Sequence, residues 1–176
     1  MPQNTRTPRG FIGFIKARAK DLLFILVFIG AFEIWTSRGL KDSRLDDSRS
    51  FELLGTEGKE ETLADGRAYT LVYAFAPWCD VCRISASNLN QLQDRFRTLA
   101  LALNWSDRTS IEIFVKDSKL AVPVLIGDDA AAESLRVDSF PSYFVIDDEG
   151  NIRWAWSGYT TTFGIWLRMQ LAKFMS

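Results

Sequence analysis

Two cysteines carry the chemistry open to this sequence. Cys79 and Cys82 are its only thiols, set three apart in Trp78-Cys79-Asp80-Val81-Cys82. The apolar run Leu71 to Ala76 comes before them, and its Val, Tyr and Phe suit a buried strand. A long helical pattern comes after. Two thiols where a strand turns into a helix form a redox arrangement. The free N–H groups and the dipole of the helix start favour a thiolate on the first cysteine. The spacing places the second one turn on, within reach of a mixed disulfide made by the first.

Other uses of a Cys-x-x-Cys pair fit less well. Structural zinc takes four ligands from Cys, His or carboxylate, and this chain has no third cysteine and no histidine. A c-type haem attachment requires His directly after the second cysteine, where Arg83 stands. Incidental core thiols are the bland alternative, since cysteines are often buried for packing alone. No cofactor is implied.

Several elements must position the pair. A helix is predicted from Asp80 to about Leu99, with Val81, Ile84, Leu89, Leu92, Phe96 and Leu99 near i, i+3, i+4 spacing. Phe51–Leu54 and Glu61–Leu63 read as a β-hairpin around a Gly55–Gly58 turn. Further strands are predicted at 67–76, 98–105, 122–126, 143–146 and 152–156. Asp107 or Ser110 can cap a short helix carrying Ile111, Phe114 and Val115, and 128–137 reads as another. Asp147 to Asn151 looks like turn chemistry rather than a metal site. From Thr161 the pattern is helical, with Phe163, Trp166, Leu167, Leu171 and Phe174 on one apolar face. Trp105, Trp154, Trp156 and Trp166 read as packing residues. The predicted fold is α/β: a central mixed sheet with helices on both faces and an N-terminal β-hairpin.

The front of the chain differs from this body. Residues 1–50 hold nine Lys or Arg against five Asp or Glu, whereas 51–176 hold twelve against seventeen. An acidic body argues against nucleic-acid binding. Residues 1–20 read as a basic cytoplasmic N-terminus, 21–37 as a transmembrane anchor, 38–50 as a linker and 51–176 as the folded domain. The apolar stretch from Leu22 to Thr36 is short against the usual ~17–25 residues, with Trp35 suited to the interface. No Ala-x-Ala follows it, so an uncleaved anchor is preferred to a signal peptide. A helix apolar on all sides has no obvious partner in water. Arg6, Arg9, Lys16, Arg18 and Lys20 place the N-terminus in the cytoplasm and the body outside the membrane, where disulfides persist.

Strand, Trp-Cys-x-x-Cys, helix, and then Phe140-Pro141 before Tyr143-Phe-Val-Ile146: this order resembles the thioredoxin superfamily. More narrowly it is similar to the membrane-anchored TlpA/CcmG (DsbE)-type envelope thioredoxins, through 120–125, 133–144, 146–150 and Ser157-Gly158-Tyr159. The anchor end Glu33-Ile-Trp35 and Gly164-Ile-Trp-Leu-Arg168 look most like the suppressor-of-copper-sensitivity (ScsD-type) group. The resemblance implies a cis-Pro at Pro141 lying against the dithiol, with Trp78, Phe140 and Pro141 binding the substrate chain. It further implies disulfide-containing envelope proteins as substrates and a membrane electron donor of the DsbD/ScsB type. The location implied is the bacterial inner membrane, single-pass, with a periplasmic catalytic domain. Departures from the family pattern are Tyr73 where a buried acid is usual, Ser87 where a helix-kinking Pro is usual, and Ser85 where TlpA-type proteins often have Glu. The proton acceptor for Cys82 is therefore not identified by sequence.

The expected chemistry is thiol–disulfide exchange, with Cys79 attacking and Cys82 resolving. Asp80 beside Cys79 disfavours its thiolate and points to a reductase. The alternative is a non-catalytic thioredoxin-fold protein that binds a partner or a soft metal such as copper through the dithiol; no Met or His cluster supports it.

Overall fold

A computed structural model describes residues 49–66 and 69–174, together with the isolated helical positions Lys20, Phe24 and Val27. Apart from these three positions, the expected basic N-terminus and anchor, and most of the linker, lie outside the described residues. Among those described, no helix is long and apolar enough to cross a membrane. The order of elements is β1 (Ser50–Leu53), β2 (Glu60–Thr62), β3 (Thr70–Phe75), α1 (Asp80–Asn90), β4 (Arg97–Ala102), α2 (Arg108–Ser118), β5 (Val124–Ile126), α3 (Asp129–Ser134), β6 (Ser142–Ile146), β7 (Ile152–Ser157) and α4 (Thr162–Phe174). The strands form one mixed sheet in the order β2-β1-β5-β4-β3-β6-β7.

Strand β3 runs through the middle, parallel to β4 and antiparallel to β6. Its side chains alternate between two cores, as the pleat requires. Leu71, Tyr73 and Phe75 meet Cys82, Ala86 and Leu89 of α1, Ile111 and Phe114 of α2, and Ile165, Met169 and Ala172 of α4. Val72 and Ala74 face the other way, towards Phe51, Leu63 and the α3 residue Ala131. The expected mixed sheet with helices on both faces and a leading hairpin is what forms. Gly55 and Gly58 turn the hairpin at φ of 83° and 70°, values that L-residues with a Cβ rarely adopt.

The caps follow the sequence closely. Asp107 Oδ1 accepts from Ser110 N at 2.8 Å and Asp128 Oδ1 from Ala131 N at 2.8 Å, so aspartates start both α2 and α3. Asp147 Oδ1 accepts from the N–H groups of Glu149 and Asn151. That acid-rich stretch is a turn locked by its own side chains.

Two expectations need correction. The first helix ends at Asn90, not near Leu99. Leu92 N then bonds to Leu89 O and Arg95 N to Leu92 O. These i→i−3 turns keep Leu89, Leu92 and Phe96 on the buried side after the α-helix has stopped, and Leu99 belongs to β4. The faces of two helices also differ. In α1 the buried residues are Cys82, Ser85, Ala86 and Leu89, while Val81 and Ile84 are exposed. In α4 the inner face is Ile165, Met169 and Ala172 with Trp166 half-buried, and Phe163, Leu167, Leu171 and Phe174 face outward. Apolar residues lie on more than one side of α4, so periodicity selected the wrong stripe.

One side chain ties the hairpin to the sheet. Arg97 Nη1 donates to Leu63 O and Thr70 Oγ1, both at 2.9 Å, and Nη2 donates to Glu61 Oε1 and Thr62 O, both at 2.8 Å. Its Nε lies 3.5 Å from Asp65 Oδ2. Arg97→Ala leaves carbonyls and a carboxylate without their donor. Unfolding in urea is expected to show a loss of about 2–3 kcal/mol, with Arg97→Lys recovering only part because an ammonium cannot match the planar fork.

Candidate active site

The turn between β3 and α1 carries both cysteines, joined as a disulfide with their Cα atoms 5.2 Å apart. Cys79 is the N-cap of α1, and its extended backbone (φ −86°, ψ 109°) aims the sulfur back over the first turn. Cys79 Sγ accepts from Cys82 N at 3.0 Å. The sulfur thus takes the place of the oxygen that usually caps a helix, where N–H groups and dipole stabilise negative charge. Cys79 keeps 6% of its surface exposed, whereas Cys82 is fully enclosed. The two thiols are unequal in access, and the accessible one sits at the helix end.

The other sequence-selected residues gather around this turn. The Phe140–Pro141 peptide bond is cis, as expected. Pro141 is buried and Phe140 half-buried. Pro141 O accepts from Gly158 N at 2.8 Å, and Ser142 Oγ donates to Ser139 O at 2.7 Å, so the loop is held from both sides. Trp78 is 63% exposed. Its ring meets Phe140 edge-on at 5.8 Å, and its Nε1 donates to Asn104 O at 3.0 Å. The Trp78–Phe140 contact brings the cis-Pro loop beside the dithiol turn.

Beneath the disulfide lies a group of side chains that sequence reasoning left unassigned. Tyr73 stands, as the sequence shows, where a buried acid is usual in the superfamily that the chain resembles. Its hydroxyl donates to Cys82 O at 2.7 Å. Tyr143, directly opposite Tyr73 in the β3–β6 register, lies 5.2 Å from it ring to ring and stacks on Trp156 at 4.9 Å. The Tyr143 hydroxyl is buried with no well-formed hydrogen bond. The nearby Ser85 hydroxyl bears on its ionisation but donates to Val81 O at 2.8 Å. Burial, reinforced by the neighbouring Tyr143, holds the Tyr73 phenol well above its ordinary range. Burial likewise pushes Tyr143 up to about 12, with Ser85 opposing in part. Both phenols therefore stay protonated at neutral pH, and neither replaces the missing carboxylate as a base. Only the pairing register could have revealed Tyr143.

Arg83, next after the second cysteine, turns away from the sulfurs. Its Nη1 meets Asp117 Oδ2 at 3.3 Å, its Nη2 donates to Pro77 O at 3.4 Å, and its guanidinium lies over the Phe114 ring at 5.8 Å.

A helix-capping dithiol beside a cis-Pro loop, on a mixed sheet of this order, defines a thioredoxin-like protein of the thiol–disulfide oxidoreductase class. The sequence pattern of the AhpC/TSA family matches residues 46–155, and the chain belongs to that family. It is 22% identical over 142 residues to the thioredoxin-like protein YneN of Bacillus subtilis (strain 168), spanning 75% of this chain and 84% of that protein. Among solved structures it is similar to MTB DsbF, with 19% identity, a TM-score of 0.61, and 72% of this chain and 96% of that one covered. A putative thiol:disulfide interchange protein DsbE from Chlorobium tepidum gives 21% identity, a TM-score of 0.55 and coverage of 74% and 96%. At these identities the solved structures speak for the fold.

The tyrosines make stability sensitive to alkali. In an unfolded chain Tyr143 ionises near 10, and in the fold burial pushes this up to about 12. Below pH 10 both states hold the proton and the contribution is intact; above it the unfolded chain sheds a proton the folded chain keeps, so stability falls across pH 10–12. Urea unfolding at pH 8 and pH 11 should show this loss, and Tyr143→Phe should make it smaller. An equal loss in the variant would show that Tyr143 is not its source.

Proposed function

We propose that this protein is an envelope disulfide reductase, anchored in the bacterial inner membrane, that acts on partner proteins through Cys79 and Cys82. The observation that carries the reading is the Cys79 sulfur capping α1 while Cys82 lies enclosed behind it. In the reduced protein, Cys79 as thiolate attacks one sulfur of a partner disulfide. The Cys79–partner bond forms, and the partner's other sulfur leaves as thiolate. Cys82 then loses its proton and attacks Cys79 Sγ, so the mixed disulfide breaks and the second partner sulfur is released. Two electrons pass to the partner, and the Cys79–Cys82 disulfide is left. A membrane electron donor of the DsbD/ScsB type restores the dithiol.

The cis-Pro loop supports a binding role for Phe140 and Pro141. An extended partner segment can pair with backbone at such a loop, and Trp78 walls one side of it. The direction of the reaction follows from charge. Asp80 opens α1 directly after Cys79 and opposes a thiolate there. Arg83 is engaged with Asp117 and Pro77 and does little to offset it. The reduced form is less favoured than in a strong oxidant, whose potential lies at about −120 mV against about −270 mV for thioredoxin. The basic flank and apolar stretch of residues 1–37 support the anchor and a periplasmic body.

Three outcomes are expected. Cys82→Ser should accumulate mixed disulfides with envelope proteins in cells and Cys79→Ser should not; the reverse pattern would reassign the nucleophile. Equilibration with glutathione buffers should give a potential nearer that of thioredoxin, and a value near about −120 mV would refute the reductase reading. A periplasm-dependent reporter fused after Ser176 should be active, whereas recovery from cells of a soluble form starting near residue 37 would show cleavage.

A further inference from the structure

Trp78, which touches Phe140, also lines a cleft of about 380 Å³ beside the dithiol turn in which Phe140 takes no part. The cleft sits past the carboxyl ends of the parallel strands β3 and β4, where open α/β sheets commonly take ligands. Its walls are two indoles that have already committed their only donors. Trp78 Nε1 donates to Asn104 O at 3.0 Å, and Trp105 Nε1 donates to Gly127 O at 2.7 Å. What these rings present to the cleft is apolar surface. Phe114 forms the floor, stacked on Phe75 at 4.3 Å, and Ile113 stands at the rim, 53% exposed. The walls are pinned before any ligand arrives, so little ordering is required on binding.

Beside these rings the cleft carries the polar Asn104, Ser106 and Ser110, and Arg83 is the one charged side chain that lines it among the described residues. Its guanidinium is incompletely used. Nη1 faces Asp117 at 3.3 Å, Nη2 has a long bond to Pro77 O at 3.4 Å, and Nε is buried with no partner. The Nε–Nη2 edge is the fork that a carboxylate occupies with two parallel hydrogen bonds. A buried donor without an acceptor is unfavourable, and an incoming carboxylate relieves this once the guanidinium turns towards the cleft.

We infer that this cleft is a specificity subsite for the partner chain: it takes a large apolar or aromatic side chain, and Arg83 takes a carboxylate next to it. The inference rests on the reductase reading and names which disulfide partners that site prefers. The cleft is continuous with the proposed substrate surface through Trp78, whose ring borders both. A partner segment crossing the dithiol therefore meets both the Phe140–Pro141 loop and this cleft. Acidic, aromatic-bearing segments near a disulfide are favoured, and basic ones are rejected by Arg83.

The test uses the full-length protein in detergent and a set of short peptides alike except for two residues beside the cysteine: Phe-Glu, Phe-Gln, Phe-Lys and Ser-Ser. Binding is read with Ser replacing the peptide cysteine, by tryptophan fluorescence. Turnover is read separately, with the glutathione mixed disulfides of the same peptides. The Phe-Glu peptide should bind about tenfold more tightly than Ser-Ser and severalfold more tightly than Phe-Gln, with Phe-Lys weakest. Arg83→Gln should abolish the Glu-over-Gln preference and Arg83→Lys keep part of it. Asp117→Asn, which frees Arg83 from its competitor, should enlarge the preference. Equal binding of Phe-Glu and Phe-Lys, or a preference that survives in Arg83→Gln, would overturn the subsite. Selective binding without reduction of any peptide would instead overturn the reductase reading and leave the subsite standing.

Discussion

Strand β3 is enclosed on both faces and paired on both edges, and the site depends on that constraint. Every residue from Thr70 to Phe75 is buried, with β4 on one edge and β6 on the other. A strand so held cannot slip by one residue without moving its whole apolar set to the opposite core. The turn that leaves it is therefore delivered to one place. Cys79 caps the helix there because β3 stops there, and Cys82 is sealed because α1 packs its first two turns onto Tyr73 and Tyr143. The inequality between the thiols is a consequence of sheet burial as much as of helix geometry.

The same packing changes how the buried thiol can be served. With Tyr73 in place of a carboxylate, the group under Cys82 donates a hydrogen bond to its carbonyl and holds its proton. That interaction stiffens the first turn of α1, but it supplies no base. In the proposed exchange the proton that Cys82 must lose leaves by another route, with the departing partner thiolate as the acceptor the chemistry allows. Two phenols in tilted contact, with the Trp156 ring stacked on one of them, also make this region more apolar than a site built round an acid, which favours neutral over charged sulfur.

Trp78 divides the surface above. Its donor is fixed to Asn104, at a residue whose φ of 49° lies in the left-handed region that Asn tolerates better than most. The indole is thus held where it borders both the cis-Pro loop and the cleft over α2. A single aromatic wall gives both sides of the dithiol a shape, while the sulfur itself stays small and accessible.

Much of this was legible in the residues. The strand–Cys-x-x-Cys–helix order, the hairpin glycines, the aspartate caps and the acid-rich turn act through neighbours a few positions away, and such local chemistry is written in order along the chain. The Phe140-Pro141 step could be singled out by the resemblance it carried. Three matters were settled only by tertiary packing. Helix α1 stops at Asn90 because the chain must turn back to start β4, and i→i−3 turns preserve the apolar spacing that had suggested a longer helix. Helix α4 has apolar residues on more than one side, so the contact with the sheet, not the periodicity, chose Ile165, Met169 and Ala172 as the inner face. Tyr143 came under Cys82, and Arg83 over Phe114, through pairing between segments tens of residues apart. Sequence spacing reports which residues can share a face of one element; which face is covered, and by what, depends on surfaces that exist only once the elements have met.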